Sequence, residues 1–496
     1  MNELAVLLDG TEVGVVRQVK GRLSFRYNPA WSTARGSYPL SLSMPLTAAD
    51  HPHSAIDPFI WGLLPDNAHV LSQWAKHFQV SARSAFALIA NVGEDCAGAV
   101  QFVRPERRDL LLSAQTQEIE WLTEAEVGTR LRVLQTDASA GRAPSDTGQF
   151  SLAGAQPKTA LLFDGQRWGV PSGRMPTTHI LKPPTGEFDG HAENEHLCLA
   201  LARALGLPAA HSQVQNFDGV SAIVVTRYDR VRTDELAAAA SAKAAAMAAE
   251  DALAAIQARS HSNMSAALRA MTFSESAEAA ANALALAEFA KTIPIFRAHQ
   301  EDFCQALKIH PSNKYQNDGG PGPRQIIDLL RANAPVRRRE KWEANASEPE
   351  KQEREEDVQT FLKALIFNWL IGGTDAHAKN YSIIIGGGGL VRLAPLYDIA
   401  SVLPYTGMDP MKAKLAMKIG GEYRLRDIGL KEWRKLAAEV GANADALVEK
   451  AVEMATQLPE RLAAEIEAAR KAGLDHPIVE SLRKSLNERA NRLALL

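Results

Sequence analysis

Late in the chain, a few polar residues have the types and spacing that phosphoryl transfer needs. Asp375 is followed five positions on by Asn380. In protein kinases a loop aspartate takes the proton of the attacking hydroxyl, and an asparagine at that spacing holds magnesium. Asp398 closes the short apolar run from Leu393 and is a second acid, where such a site would need a metal-binding aspartate. His377 and Lys379 stand between the first two. A D-x-x-x-x-N match alone is common, but Asp375, Asn380 and Asp398 in this order and context are far more specific.

These residues need a rigid support. Phe361, Leu362, Leu365, Ile366, Trp369 and Leu370 recur at helical spacing, which predicts a buried helix. Gly372 and Gly373 then end it by offering the left-handed conformation. Upstream, the small residues Ala153, Gly154 and Ala155 before Gln156, Pro157 and Lys158 would let backbone N–H groups approach an anion. This is neither a Walker loop nor G-x-G-x-x-G, and taken alone it is more often a hairpin turn. Lys182 ends an apolar strand that starts at His179, where a kinase places its phosphate lysine; seen alone, such a lysine is usually just solvated. Glu193 or Glu195, at the start of the next helix, could pair with it. The β-branched strand from Ser221 runs into Thr226, Arg227 and Tyr228, where a two-lobed kinase has its adenine hinge.

At 496 residues the chain exceeds one ordinary core, and 46% apolar with 23% charged residues is a globular composition. A net charge of -3 gives no global field toward nucleic acid. Cys96, Cys198 and Cys304 are far apart, which argues against zinc or a disulfide framework and favours a reducing, cytoplasmic setting. No signal peptide or membrane-spanning run is expected.

Residues 1–105 read as a strand-rich module, with a hairpin at Asp9-Gly10 and helix over Phe59 to Asp66 and Ala68 to Phe78. It suggests packing and no chemistry. Residues 106–233 would form a smaller kinase lobe, with a polar stretch up to about residue 148. An alanine-rich insertion of surface helices fills 234–295, and 296–496 would be a mostly helical lobe. The expected class is α+β, a two-lobed protein-kinase-like fold with a small strand-rich N-terminal module.

At this point the residues resemble the HipA serine/threonine kinases, toxins of bacterial toxin–antitoxin pairs. The likeness rests on Ser151 to Leu161, Thr178 to Pro183, Glu301 to Gln305, Lys314 to Gly322, Asn368 to Asn380 and Leu393 to Asp398. It implies an ATP- and Mg2+-dependent protein kinase. Ala153 to Lys158 would be the phosphate loop, Lys182 the phosphate lysine and Thr226 to Tyr228 the adenine hinge. His377 and Lys379 would lie near the transferring phosphate and Tyr397 beside the nucleotide. Asp375 would be the base, Asn380 and Asp398 the magnesium ligands and Ser151 the autophosphorylated serine. Thr226 and Pro157 depart from the acidic residues expected there. The resemblance further implies a HipB-like helix-turn-helix antitoxin dimer, operator DNA reached mainly through it, and an aminoacyl-tRNA synthetase as substrate. Arg424 and Arg426 fall near a family DNA contact but read as a solvated pair. Two other readings stay open: a kinase of a lipid or small molecule, disfavoured by the lack of basic amphipathic stretches, and a non-catalytic corepressor bound to the antitoxin.

Overall fold

Alternating apolar residues at the start of the chain build a five-stranded antiparallel sheet. Its strands are β1 (Glu3–Leu8), β2 (Thr11–Val19), β3 (Arg22–Tyr27), β4 (Asp50–His51) and β5 (Val100–Val103), in the order β4-β3-β2-β1-β5. Asp9 and Gly10 take positive φ between Leu8 and Thr11, as the primed hairpin turn demands. Helices α1 (His53–Leu63), α2 (Ala68–Phe78) and α3 (Ala85–Val92) close this module around its own core. The computed structural model describes residues 2–112, 119–141, 150–186, 188–260, 279–285, 287, 294–333 and 348–494. The helix expected over Phe59 to Asp66 starts earlier, at His53, and stops at Leu63. Leu64 is extended, because a residue before proline is driven out of the helical region. Leu64 to Asp66 therefore form a turn.

The polar stretch after residue 106 holds more structure than its composition suggested. It contains β6 (Ile119–Leu122) and α4 (Glu124–Thr136), the latter opened by a Thr123/Glu126 capping box. A six-stranded sheet follows from β7 (Thr159–Phe163), β8 (Trp168–Pro171), β9 (His179–Lys182), β10 (Ser212–Phe217) and β11 (Val220–Thr226) together with β6, ordered β10-β11-β9-β7-β8-β6. Helix α5 (His191–Ala204) lies in the chain between β9 and β10.

Two compact units divide the chain: Met1–Tyr228 with His299–Leu496, and Asp229–Ala298. The second carries β12 (Arg230–Arg232), the 28-residue helix α6 (Thr233–Ser260) and β13 (Ile295–Arg297), which pairs back on β12. The first continues with β14 (His299–Asp302), α7 (Pro323–Asn333), α8 (Glu348–Ile371), β15 (Ser382–Gly386), β16 (Leu390–Leu393), a hairpin β17 (Lys414–Ile419) and β18 (Glu422–Arg424), then α9 (Leu430–Val440), α10 (Ala444–Lys471) and α11 (Ile478–Ala494). The β17–β18 hairpin interrupts a region expected to be helical. Phe361, Leu362, Leu365, Ile366, Trp369 and Leu370 of α8 are all buried in the largest core. So α8 is the buried helix its periodicity predicts, and Gly372 ends it at a φ of 67°. The architecture is α+β, strand-rich early and helical late.

Candidate active site

The loop after α8 is folded on its own backbone. The Asp375 carbonyl accepts the His377 N–H at 2.8 Å and the Asn380 side-chain amide at 2.7 Å. With its nitrogen spent there, the Asn380 amide oxygen is the atom that can face a cation. The Asp375 side chain is 66% exposed, and its carboxylate takes a hydrogen bond from the Tyr315 hydroxyl. Partial desolvation raises its pKa, opposed by that bond. His377 is buried against the Tyr315 ring, its Nδ1 without a hydrogen-bond partner. Burial and the Lys314 charge push it down to about 3, so it is neutral at pH 7.

Asp398 is delivered by a different device. Leu396, two residues earlier, donates to the Pro208 carbonyl and accepts from the Ala210 N–H, both at 2.8 Å. Asp398 then adopts a left-handed φ of 56°. Its Oδ1 receives the Lys182 ammonium at 2.7 Å, and Glu195 of α5 receives the same ammonium at 2.8 Å. Glu195, rather than Glu193, is the partner. Burial works to raise the Asp398 pKa, but Lys182 and Lys158 hold it well below the carboxylate range. Burial likewise lowers Lys182, and the two carboxylates more than offset this. One carboxylate and one amide oxygen suit a hard cation such as magnesium, whose other ligands come from phosphates and water. Among the described residues no three His, Cys, Asp or Glu side chains gather as a fuller metal set.

The loop Ala153 to Lys158 is laid against the N-terminal module. Gly154, at a φ of 103°, accepts from the Asp66 N–H at 3.1 Å. Lys158 folds back on the Ala153 carbonyl at 2.7 Å, and burial together with Lys182 pushes its pKa down to about 8. Ala155 is exposed, with Gln156 and Pro157 half-buried beside it. Ser151 is fully buried, its hydroxyl donating to the Leu63 carbonyl at 2.7 Å.

The expected hinge residues are held differently from one another. The Thr226 and Arg227 N–H groups already donate to the His211 and Thr178 carbonyls, so neither is a donor for adenine. The Arg227 guanidinium turns to Thr177, the Cys96 carbonyl and Asp95. The Tyr228 ring lies 5.9 Å from that of Tyr397. The Tyr397 hydroxyl is committed to the Asp375–Asn380 loop, donating to the Lys379 carbonyl at 2.7 Å.

Two family models cover most of the chain: the HipA N-terminal domain over residues 4–103, and the HipA-like C-terminal domain over 150–294 and 267–472. The chain belongs to the HipA family. "Putative kinase Y4mE" of Sinorhizobium fredii is 30% identical over 99% of this chain and 98% of its own. The serine/threonine-protein kinase toxin HipA of Shewanella oneidensis is 26% identical over 88% of this chain and 82% of its own. The fold is that of HipA in the S. oneidensis HipA, HipB and operator DNA complex, with a TM-score of 0.69 at 23% identity, covering 99% of this chain and 97% of that one.

Against this HipA-family frame, three site residues escaped sequence reading. Lys379 and Lys314 both bind Asp66, at 2.5 and 2.8 Å, so the N-terminal module reaches into the candidate site with a side chain. Lys314 and Tyr315 lie in a motif that was visible without a role. Asp66 had no signal, because nothing local marks a carboxylate whose partners lie far along the chain. Arg424 is exposed and Arg426 pairs with Asp427. Among the described residues no helix is long and apolar enough to cross a membrane.

Proposed function

We propose that the chain is an ATP- and magnesium-dependent serine/threonine-protein kinase, the toxin of a toxin–antitoxin pair. The observation that carries this reading is Lys182 held between Glu195 and Asp398, beside the Asp375–Asn380 loop. An ion pair between a strand lysine and a helix glutamate, next to a metal-binding aspartate, is the arrangement kinases use to hold ATP phosphates.

Each residue then has a task. Lys182 and the backbone of Ala153 to Lys158 neutralise and orient the phosphates, while the neutral His377 can donate a hydrogen bond to them. Asn380 and Asp398 would hold magnesium, which supplies charge neutralisation along the phosphate chain. Asp375 accepts the proton of the incoming serine or threonine hydroxyl as its oxygen bonds to the terminal phosphorus and ADP leaves. Positioning and charge stabilisation supply most of the acceleration.

The substrate is a serine of a translation protein, an aminoacyl-tRNA synthetase, whose modification arrests growth. The partner is a HipB-like antitoxin dimer that links the chain to operator DNA. Self-modification at Ser151 switches the kinase off. Its hydroxyl is packed on the Leu63 carbonyl, and about two added charges cannot remain there.

Labelled ATP incubated with the protein and bacterial lysate tests this reading. Label should enter a few lysate proteins at serine or threonine; label in lipid or metabolite alone overturns it. Ser151→Ala should abolish self-labelling and prolong activity, and self-labelling that persists would remove Ser151 from its assigned role.

A further inference from the structure

The end of α1 and the turn after it commit three groups to the proposed kinase machinery. The Leu63 carbonyl takes the Ser151 hydroxyl, the Asp66 N–H bonds to Gly154, and the Asp66 carboxylate receives two ammonium groups. Lys379 Nζ lies 2.5 Å from Oδ1 and Lys314 Nζ 2.8 Å from Oδ2. The side chains are 12% exposed for Asp66 and 3% for Lys379. A buried ammonium is tolerable only when paired, and one carboxylate here serves two. Burial works to raise the Asp66 pKa, but the two cations hold it below its ordinary value.

We propose that Asp66 is a positioning residue for phosphoryl transfer: from the N-terminal module it fixes where the Lys379 ammonium sits in the catalytic loop. This deepens the kinase reading and rests on it. Lys379 is four residues from Asp375 and one from Asn380, so its placement is felt by both. Asp302 is a second buried carboxylate within the field of Lys379. Without Asp66, the ammonium is drawn from its place toward Asp302 or solvent, and the loop moves with it. Misplacing a reacting group by an ångström costs about 10²-fold in rate.

The test compares wild type, Asp66→Asn and Asp66→Glu in the full chain, each shown to be folded by circular dichroism at the assay temperature. The first readout is transfer from labelled ATP into lysate protein. Asp66→Asn should lose about 10²-fold in kcat with KM for ATP nearly unchanged, and Asp66→Glu should recover most of the loss. A merely structural role would lower the active fraction and thermal midpoint without this split or the rescue. The second readout is acylation of lysines by acetic anhydride, mapped by mass spectrometry. Lys379 and Lys314 should be protected in wild type and react several-fold faster in Asp66→Asn. If Asp66→Asn does not fold, the double variant Asp66→Asn/Lys314→Met removes one buried cation with the anion and should show the same kcat loss. Unchanged kcat in a folded variant, or unchanged Lys379 reactivity, overturns the proposal. If wild type transfers no label, the kinase reading falls, and acylation alone decides whether Asp66 holds Lys379.

Discussion

Asp398 occupies a backbone conformation, φ 56°, that few non-glycine residues adopt, and asparagine is among the best tolerated there. Asp398→Asn therefore tests the carboxylate with little backbone cost. It removes an anionic partner of Lys182 and the proposed anionic metal ligand together. We expect a fall in transfer of at least about 10²-fold, with the fold retained by circular dichroism. Asp375→Asn removes the proposed proton acceptor, and a loss of about 10²–10⁴-fold is expected; unchanged turnover in either variant would displace that residue from its role. Asp375 and Asn380 stood out in the sequence by their five-residue spacing, and Asp398 by closing a short apolar run. Glu195 was one of two candidates until geometry chose it. Asp66 was not legible at all, since its only mark is distance in space.

Among the elements, β14 shows how a strand can carry a titrating group with no part in the proposed chemistry. Glu301 on β14 accepts the Leu42 N–H at 2.7 Å, and its other oxygen is buried without a partner. Burial pushes its pKa up to about 8. The folded protein thus keeps a proton that the unfolded chain releases near pH 4.3. Stability from this group is complete below that value and is lost as pH rises toward 8. Buried neutral histidines such as His377 act in the opposite sense below about pH 6.5, so the test is the difference: from pH 5.5 to 8.5 the wild-type urea midpoint should drop relative to that of Glu301→Gln. Asp302, raised to about 6 by burial, leaves a residual drop of the same sign. The same pH course in both proteins would mean Glu301 is ionised in the fold. The elements most legible in sequence were those with a strong period or a defined turn, α8 and the Asp9-Gly10 hairpin. Helix α4 was missed although its capping box was there to read, because its apolar face is weak. The β17–β18 hairpin was missed because it sits in a region dominated by helical pattern.

At the scale of the whole molecule, the alanine-rich segment stood out by composition, and it falls within the compact unit Asp229–Ala298. That unit has a built-in seam. Arg232 pairs with Ile295 across the β12–β13 ladder, so the ends of the intervening segment are adjacent. Replacing 236–292 with a short Gly/Ser linker should leave labelled-ATP transfer within a few-fold of wild type. Loss of transfer in a folded variant would give the insertion a part in the reaction.

The segment proposed to cradle phosphate is seated on the N-terminal module. Pro65 bridges to Gly154 and Asp95 to Phe150, so the first module lies beneath the segment that would cradle ATP. A catalytic fragment trimmed near residue 106, where composition changes, would strip that underside away. Evolution cannot easily exchange the front module for another, because every replacement must reproduce the same seat for a loop encoded far downstream.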